Sequence, residues 1–337
     1  MKIKKGVISA LALALIVLTA RAEAAAPGDL LTPGGEAVVL ELNTEGMLVA
    51  GLATVETETG AVSPAGEAGL KPGDRIVRIN GVSVPNAAAF GEAVSALGGE
   101  AVHITAERQG HPAEFTLTPA LGKDGGRYLG LWLRDGISGI GTLTFRDPKS
   151  GLYGALGHGV SASAGSEQLT PVTGGTLAPA HINEVVAGEH GKPGELVGSC
   201  AGAVLGDVRL NSPAGVFGLS SVLSEREPLV AASDREIRLG TATILSTVNG
   251  DEPREYSVEI TRIVRGGDEL RSLSLCVTDA ELLQSAGGIV QGMSGSPILQ
   301  DGKLIGAVTH VLVEDPTRGY GVTIETMLNA ASSLPDD

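Results

Sequence analysis

Aromatic residues are scarce in this chain: four Phe, four Tyr and one Trp among 337 residues. The apolar content is therefore carried by Val, Ile, Leu and Ala, and 49 glycines accompany it. That balance suits β-rich modules joined by tight turns. Cysteine is limited to Cys200 and Cys276. With no CxxC pair and no Cys/His cluster, a zinc site has no signature here, and no cofactor is expected. Both cysteines sit among apolar or small residues, which predicts two buried thiols without a bridge. Basic charge is also lacking. The net charge of −15 excludes binding to nucleic acid or an anionic membrane surface, both of which need clustered Lys and Arg. Long apolar runs are absent after the first 20 residues.

The exception lies at the start. Lys2, Lys4 and Lys5 precede an apolar stretch over Val7–Ala20, and Ala22-Glu-Ala24 fits a small-x-small cleavage pattern. About 14 residues is short for a membrane span of about 20. Residues 1–26 are expected to be a signal peptide or signal anchor, placing the remainder outside the cytoplasm.

Turn signals divide the rest of the chain. Residues 27–36 are rich in Pro and Gly and read as a linker. From Ala37 the expected order is a strand (Val38–Leu42), a second strand (Met47–Val55), a helix over Asn86–Leu97 and two strands near Val102–Glu107 and Glu114–Leu117. Lys123-Asp-Gly-Gly-Arg127 reads as a boundary. Beyond it, short alternating strands recur to the end, as expected of an all-β barrel or sandwich.

The chemistry concentrates in Gly287-Gly-Ile-Val-Gln-Gly-Met-Ser-Gly-Ser-Pro297. Ser294 sits between glycines in a tight turn, followed by two apolar runs joined by the hairpin pair Asp301-Gly302. Glycines permit a sharp turn that leaves the N–H groups of Gly292 and Ser294 free to stabilise an oxyanion. A serine nucleophile needs an imidazole to take its proton. Of six histidines, His103, His111 and His190 read as surface residues. His181 and His310 are possible, and His158, in Gly154-Ala-Leu-Gly-His-Gly159, is the best candidate base. An orienting acid could be Asp207, Asp234, Asp251, Asp268 or Asp279. Asp279 also fits a helix N-cap before Ala280–Gln284.

Several segments carry a resemblance. Gly66-Glu-Ala-Gly-Leu-Lys-Pro-Gly-Asp-Arg-Ile-Val-Arg-Ile-Asn-Gly81 resembles a PDZ domain. Leu131-Trp-Leu-Arg-Asp135, Gly154–Gly159, the Ser294 turn, Gly306-Ala-Val-Thr-His310 and Asp315-Pro-Thr-Arg-Gly-Tyr-Gly321 resemble the SpoIVB-type sporulation serine peptidases. The resemblance implies a mainly β protein, with a small PDZ domain over 37–120 and a chymotrypsin-like double β-barrel over 128–337. It implies Ser294, His158 and Asp279 as catalytic residues, although Asp279 lies unusually close to the serine in sequence. It places a peptide carboxylate at Gly46, Met47 and Leu48, with the following strand edge open to a peptide. The function implied is an exported, self-cleaving endopeptidase. Such an enzyme acts between the forespore and mother-cell membranes on a regulator of a membrane-embedded metalloprotease, and so activates a sigma factor. The alternative is a non-catalytic exported adaptor with a degenerate peptidase barrel. Met293 precedes Ser294, so no carboxylate there can pair with a freed N-terminal amine.

Overall fold

The computed structural model describes residues 25–161, 169–222, 225–265 and 269–335. The expected signal segment and Asp268 lie outside the described residues, apart from Ala25 and Ala26. No helix among the described residues is long and apolar enough to cross a membrane.

Strand β1 (Ala37–Leu52) is a continuous run in which Leu40, Leu42 and Thr44 turn inward while Glu41, Asn43 and Glu45 face water. That period of two follows from the pleat, which sends successive side chains to opposite faces. The chain then forms β2 (Arg75–Ile79), α1 (Ala87–Ser95), β3 (Val102–Arg108) and β4 (His111–Leu117). The side chain of Asn86 starts α1 by accepting the Ala89 N–H at 3.0 Å. The β1–β2 and β2–β3 pairings, with the β3–β4 hairpin, enclose a core of Met47, Leu70, Ile76, Ile79 and Ile104. Strand β5 (Leu131–Arg146) returns antiparallel along nearly the whole of β1, from Leu131 opposite Leu52 to Thr142 opposite Ala37.

This pairing relocates the expected boundary. Val38–Leu42 was expected in the PDZ region, but residues 37–43 pair with β5 on one side and β7 (Gly174–Val186) on the other. They belong to the first barrel, and the small domain is inserted between two of that barrel's strands. The remaining members are β6 (Leu152–Ala155), β8 (Gly206–Asp207) and β9 (Gly215–Leu219). The ring runs β1–β5–β6–β9–β8–β7–β1, closed between β9 and β8 by a bridge from Gly206 to Ser220. Val38, Leu40, Leu42, Leu143, Tyr153 and Leu177 fill it. The expected linker also does more than connect. Leu30–Pro33 is a strand paired with Phe145 and Arg146 and with Leu229 and Val230.

A second ring comprises β10 (Gly240–Ser246), β11 (Arg254–Ile263), β12 (Leu273–Val277), β13 (Pro297–Gln300), β14 (Lys303–Val311) and β15 (Arg318–Thr323). Its order is β10–β11–β12–β15–β14–β13–β10, antiparallel throughout. Ile244, Val258, Ile260, Leu275, Ile298 and Val308 form its interior. The Asp301-Gly302 hairpin turns as expected, with φ of 51° and 74°. Between β12 and β13 lies α2 (Ala280–Ala286), and α3 (Ile324–Ala331) ends the described fold by packing against the seam between the barrels. The fold is mainly β, with a double barrel, as expected. The thiols differ from expectation: Cys200 is exposed and Cys276 half-buried, although both are free.

Asn43 stands directly opposite Gly136, so a two-residue Asn-Gly turn can replace residues 44–135 without moving either strand. The shortened chain is expected to unfold cooperatively near the wild-type midpoint. A chain starting at residue 128 lacks β1 and is expected to show no cooperative transition in thermal circular dichroism.

Candidate active site

His158 follows β6 through two left-handed residues, Leu156 (φ 68°) and Gly157 (φ 67°). A Cβ at position 157 would press on Ala307, Thr309 and Val322, so the glycine lets this turn of the first barrel lie against the wall of the second. Ser294 comes from the second barrel, in the turn after α2. Both residues line a cleft of about 610 Å³ between the barrels, together with Gly292, Thr309 and His310. The His158 and His310 rings lie 4.8 Å apart, centroid to centroid.

His158 contacts the Gly159 carbonyl through Nδ1 at 2.9 Å. With Nδ1–H donating to that carbonyl, Nε2 keeps its lone pair and can accept a proton. Burial lowers the His158 pKa below the ordinary imidazole value by disfavouring the charged form, and the Gly159 carbonyl opposes this in part. Ser294 donates its Oγ–H to the Thr309 carbonyl at 2.6 Å. The hydroxyl must leave this carbonyl to reach an imidazole. Catalytic hydrogen bonds commonly tighten only when substrate is bound.

Two glycines shape the backbone of the Ser294 turn. Gly292 has φ of +98° and Gly295 φ of +96°, conformations that disfavour other residues. A Cβ at position 295 would overlap the Thr142 carbonyl oxygen and Leu156 backbone, so no side chain fits. Among the described residues the N–H groups of Gly292 and Ser294 have no acceptor. Ser296, two residues on, is fully buried and spends its hydroxyl on the Met293 carbonyl (2.7 Å) and on Ser246 (3.0 Å). Met293 points into the second barrel's core.

Asp279 is not brought to this cleft. Its Oδ1 accepts the Leu282 N–H at 3.0 Å as the N-cap of α2, and its Oδ2 accepts the Ser257 N–H at 3.2 Å. Asp207 is similarly committed, to Arg209 and the Leu219 N–H, and Asp251 to His181. Among the described residues no carboxylate lines the cleft. The resemblance therefore assigned Asp279 an orienting role that this geometry gives to a helix cap.

The edge expected to take a peptide is occupied. The Gly46 N–H is taken by the Pro85 carbonyl, and a Cβ there would overlap the Ile76 carbonyl oxygen. Met47 and Leu48 lie in a strand paired with β2 on one side, and Leu48 also faces β5 on the other, so that edge is closed. An open edge exists instead on β5, where among the described residues Leu131–Arg134 pair with β1 alone. It borders a groove of about 600 Å³ formed with Phe90 and Val94 of α1 and entered past Tyr128, Leu129 and Gly130. Trp132, 67% exposed, marks this edge. The signal in the sequence was Tyr128-Leu-Gly-Leu131, a glycine-bearing loop (Gly130 φ 75°) directly before an alternating strand.

A paired-barrel fold with serine and histidine at the seam defines a serine peptidase carrying an inserted peptide-binding module. Comparisons with known proteins agree. The model of the SpoIVB peptidase S55 family matches residues 126–328, and a PDZ domain model matches residues 59–108. The chain belongs to the SpoIVB peptidase S55 family and is a serine peptidase. Similar solved structures include Rv3671c from M. tuberculosis, in the inactive form of a serine-to-alanine mutant. It shows 14% identity and a TM-score of 0.34 over 59% of this chain and 84% of that one. The HtrA-type protease AlgW with a decapeptide shows 13% identity and a TM-score of 0.32 over 63% of this chain and 57% of that one. No match was found among curated protein sequences.

Substitutions at Asp279 separate the cap from the catalytic role. Asp279→Asn keeps a side-chain oxygen for the α2 cap, so turnover is expected to stay near wild type with a small drop in melting temperature. Asp279→Ala is expected to cost about 1 kcal/mol of stability. A loss approaching the roughly 10⁴-fold seen when a triad carboxylate is removed, measured alongside an unchanged melting temperature, would return Asp279 to catalysis. The lowered pKa of His158 keeps the imidazole neutral into mildly acid solution. The acid limb of the pH–rate profile is therefore expected below pH of about 6.5. In the window between that lowered value and about 6.5, the unfolded chain binds a proton that the folded one refuses. Stability contributed by neutral His158 is thus lost as pH falls through this window.

Proposed function

We propose that Ser294 is the nucleophile, His158 the general base, and the N–H groups of Gly292 and Ser294 the oxyanion donors of an endopeptidase that cleaves itself and a protein substrate. The observation that carries this reading is the convergence of Ser294 and His158, from two different barrels, on one cleft whose backbone donors are unpaired among the described residues. His158 Nε2 would take the Ser294 proton as Oγ attacks a carbonyl. The resulting imidazolium would then protonate the departing amine. Leu40, Leu42, Ile137, Ile140 and Val311 wall the cleft and favour aliphatic substrate side chains. The retention of both side chains in the cleft disfavours a purely adaptor role.

Family membership supports a place for the enzyme in endospore formation. On this reading it is exported into the space between the forespore and mother-cell membranes. There it cleaves a regulator of a membrane-embedded metalloprotease, releasing sigma-factor activation. The groove between β5 and α1 is the proposed seat of a peptide, added as a strand along Leu131–Arg134.

Purified wild type is expected to yield new N-termini over hours, detected by N-terminal sequencing, and Ser294→Ala none. Ser296→Ala, which loses two buried structural hydrogen bonds but no reacting atom, is expected to keep most self-processing at a lower melting temperature. Equal loss from both serine variants, or loss from Ser296→Ala alone, would remove the nucleophile assignment.

A further inference from the structure

The turn that bears Ser294 is held largely from the opposite barrel. Thr142 of β5 donates its backbone N–H to the Ser294 carbonyl at 2.9 Å and its Oγ1–H to the Gly292 carbonyl at 2.8 Å. Thr144, two residues on and so on the same face of the strand, donates Oγ1–H to the Gly295 carbonyl at 2.8 Å. Both threonines are completely buried. The remaining carbonyls are also occupied: Gln291 accepts the Leu196 N–H at 2.8 Å, and Met293 accepts the Ser296 N–H at 3.0 Å. Five consecutive carbonyls, from Gln291 to Gly295, are thereby fixed.

A trans peptide group is planar, so its N–H points away from its carbonyl. Holding the Gln291 and Met293 carbonyls aims the N–H groups of Gly292 and Ser294 the opposite way. Gly292 lies between those two peptide groups and has no side chain to limit its rotation. Its carbonyl belongs to the peptide group between them, held at one end by the Met293 N–H donating to the Val290 carbonyl at 3.1 Å and at the other by the Thr142 hydroxyl, the only hydrogen bond that carbonyl accepts among the described residues. A buried threonine facing inward on a strand, where valine would fill the same volume, has its use in that donor.

We propose that Thr142 is a positioning residue of the peptidase, whose hydroxyl holds Gly292 so that the two N–H groups of the turn stay aligned for the oxyanion, with Thr144 anchoring the far end of the same turn. This rests on the reading of Ser294 as nucleophile. Valine replaces threonine with nearly the same shape and no donor, while serine keeps the donor and loses a methyl group.

The test is the second-order rate at which diisopropyl fluorophosphate labels Ser294 in the full chain, a reaction that builds negative charge on oxygen as a substrate does. Thr142→Val is expected to slow labelling by roughly 10- to 100-fold. That is less than the 10²–10³ for loss of a direct oxyanion donor, because the effect is exerted through the backbone. Thr142→Ser is expected to stay within about threefold of wild type, with near-ultraviolet circular dichroism unchanged in both. Wild-type labelling by Thr142→Val, or equal loss in the valine and serine variants, would overturn the proposal. If Thr142→Val does not fold, Thr144→Val against Thr144→Ser decides it by the same contrast, with equal rates overturning it. A wild-type chain that never labels at Ser294 would overturn the nucleophile reading and this proposal together. A labelled wild type with an indifferent valine variant would overturn this proposal alone.

Discussion

The antiparallel ladder between Ala37–Leu52 and Leu131–Arg146 is the interaction on which the rest of the molecule depends. One end builds the PDZ domain, where Leu48–Leu52 meet Leu131–Arg134, and the other builds the first barrel, where Ala37–Asn43 meet Gly136–Thr142. The register slips between Arg134 and Gly136, at the junction of the two. Such an irregularity bends and twists a strand locally. Gly136 is needed there, because any Cβ would overlap the Leu42 carbonyl. An inserted domain carried on two paired strands is mounted on the barrel by backbone hydrogen bonds rather than by a loose linker.

The same ladder reaches the chemistry. Strand Leu131–Arg146 presents its open edge to the groove at its start and grips the Ser294 turn through Thr142 and Thr144 near its end. The His158 turn approaches from the next strand, and Leu156 donates its N–H to the Thr142 carbonyl at 3.2 Å. Thr142 therefore lies between the two turns that carry the imidazole and the hydroxyl. Placement of reacting groups from different barrels requires such a common reference, since errors of about 1 Å can cost about 10²-fold in rate.

Among the described residues the cleft contains two imidazoles and no carboxylate. Its aliphatic walls desolvate His158, which favours the neutral base, while the Gly159 carbonyl fixes the tautomer. If His158 is the general base, as proposed, the Gly159 carbonyl meets part of the orienting function that a carboxylate performs in the Ser-His-Asp template. The Asp279 carboxylate is occupied by two backbone N–H groups beside a helix start, where negative charge is favoured by the helix dipole.

Local patterns in the sequence were sufficient wherever the physics is local. Alternation pointed to short strands beyond residue 127 without singling out Gly174–Val186 or Leu273–Val277, Asn86 and Asp279 marked helix starts, Asp301-Gly302 marked the hairpin, and glycines around Ser294 and His158 announced two tight turns. Pairing between distant segments was not legible. The strand at Val38–Leu42 alternates in the same way whether it belongs to the PDZ domain or to a barrel, and only hydrogen bonding to residues 136–142 and 174–179 decides. The same limit closed the edge at Gly46–Leu48 and opened the one at Leu131–Arg134, because an edge is defined by what fails to pair with it. Asp279 fits a helix cap by position but lies unusually close to Ser294 for a triad acid, and the structure sets its carboxylate on two backbone N–H groups. The residue types and turns for serine chemistry are thus written in the chain, whereas which donors hold the turn, and which strand offers a groove, arise from contacts between distant segments, as between Leu131 and Leu52 or between Thr142 and Gly292, 150 positions apart.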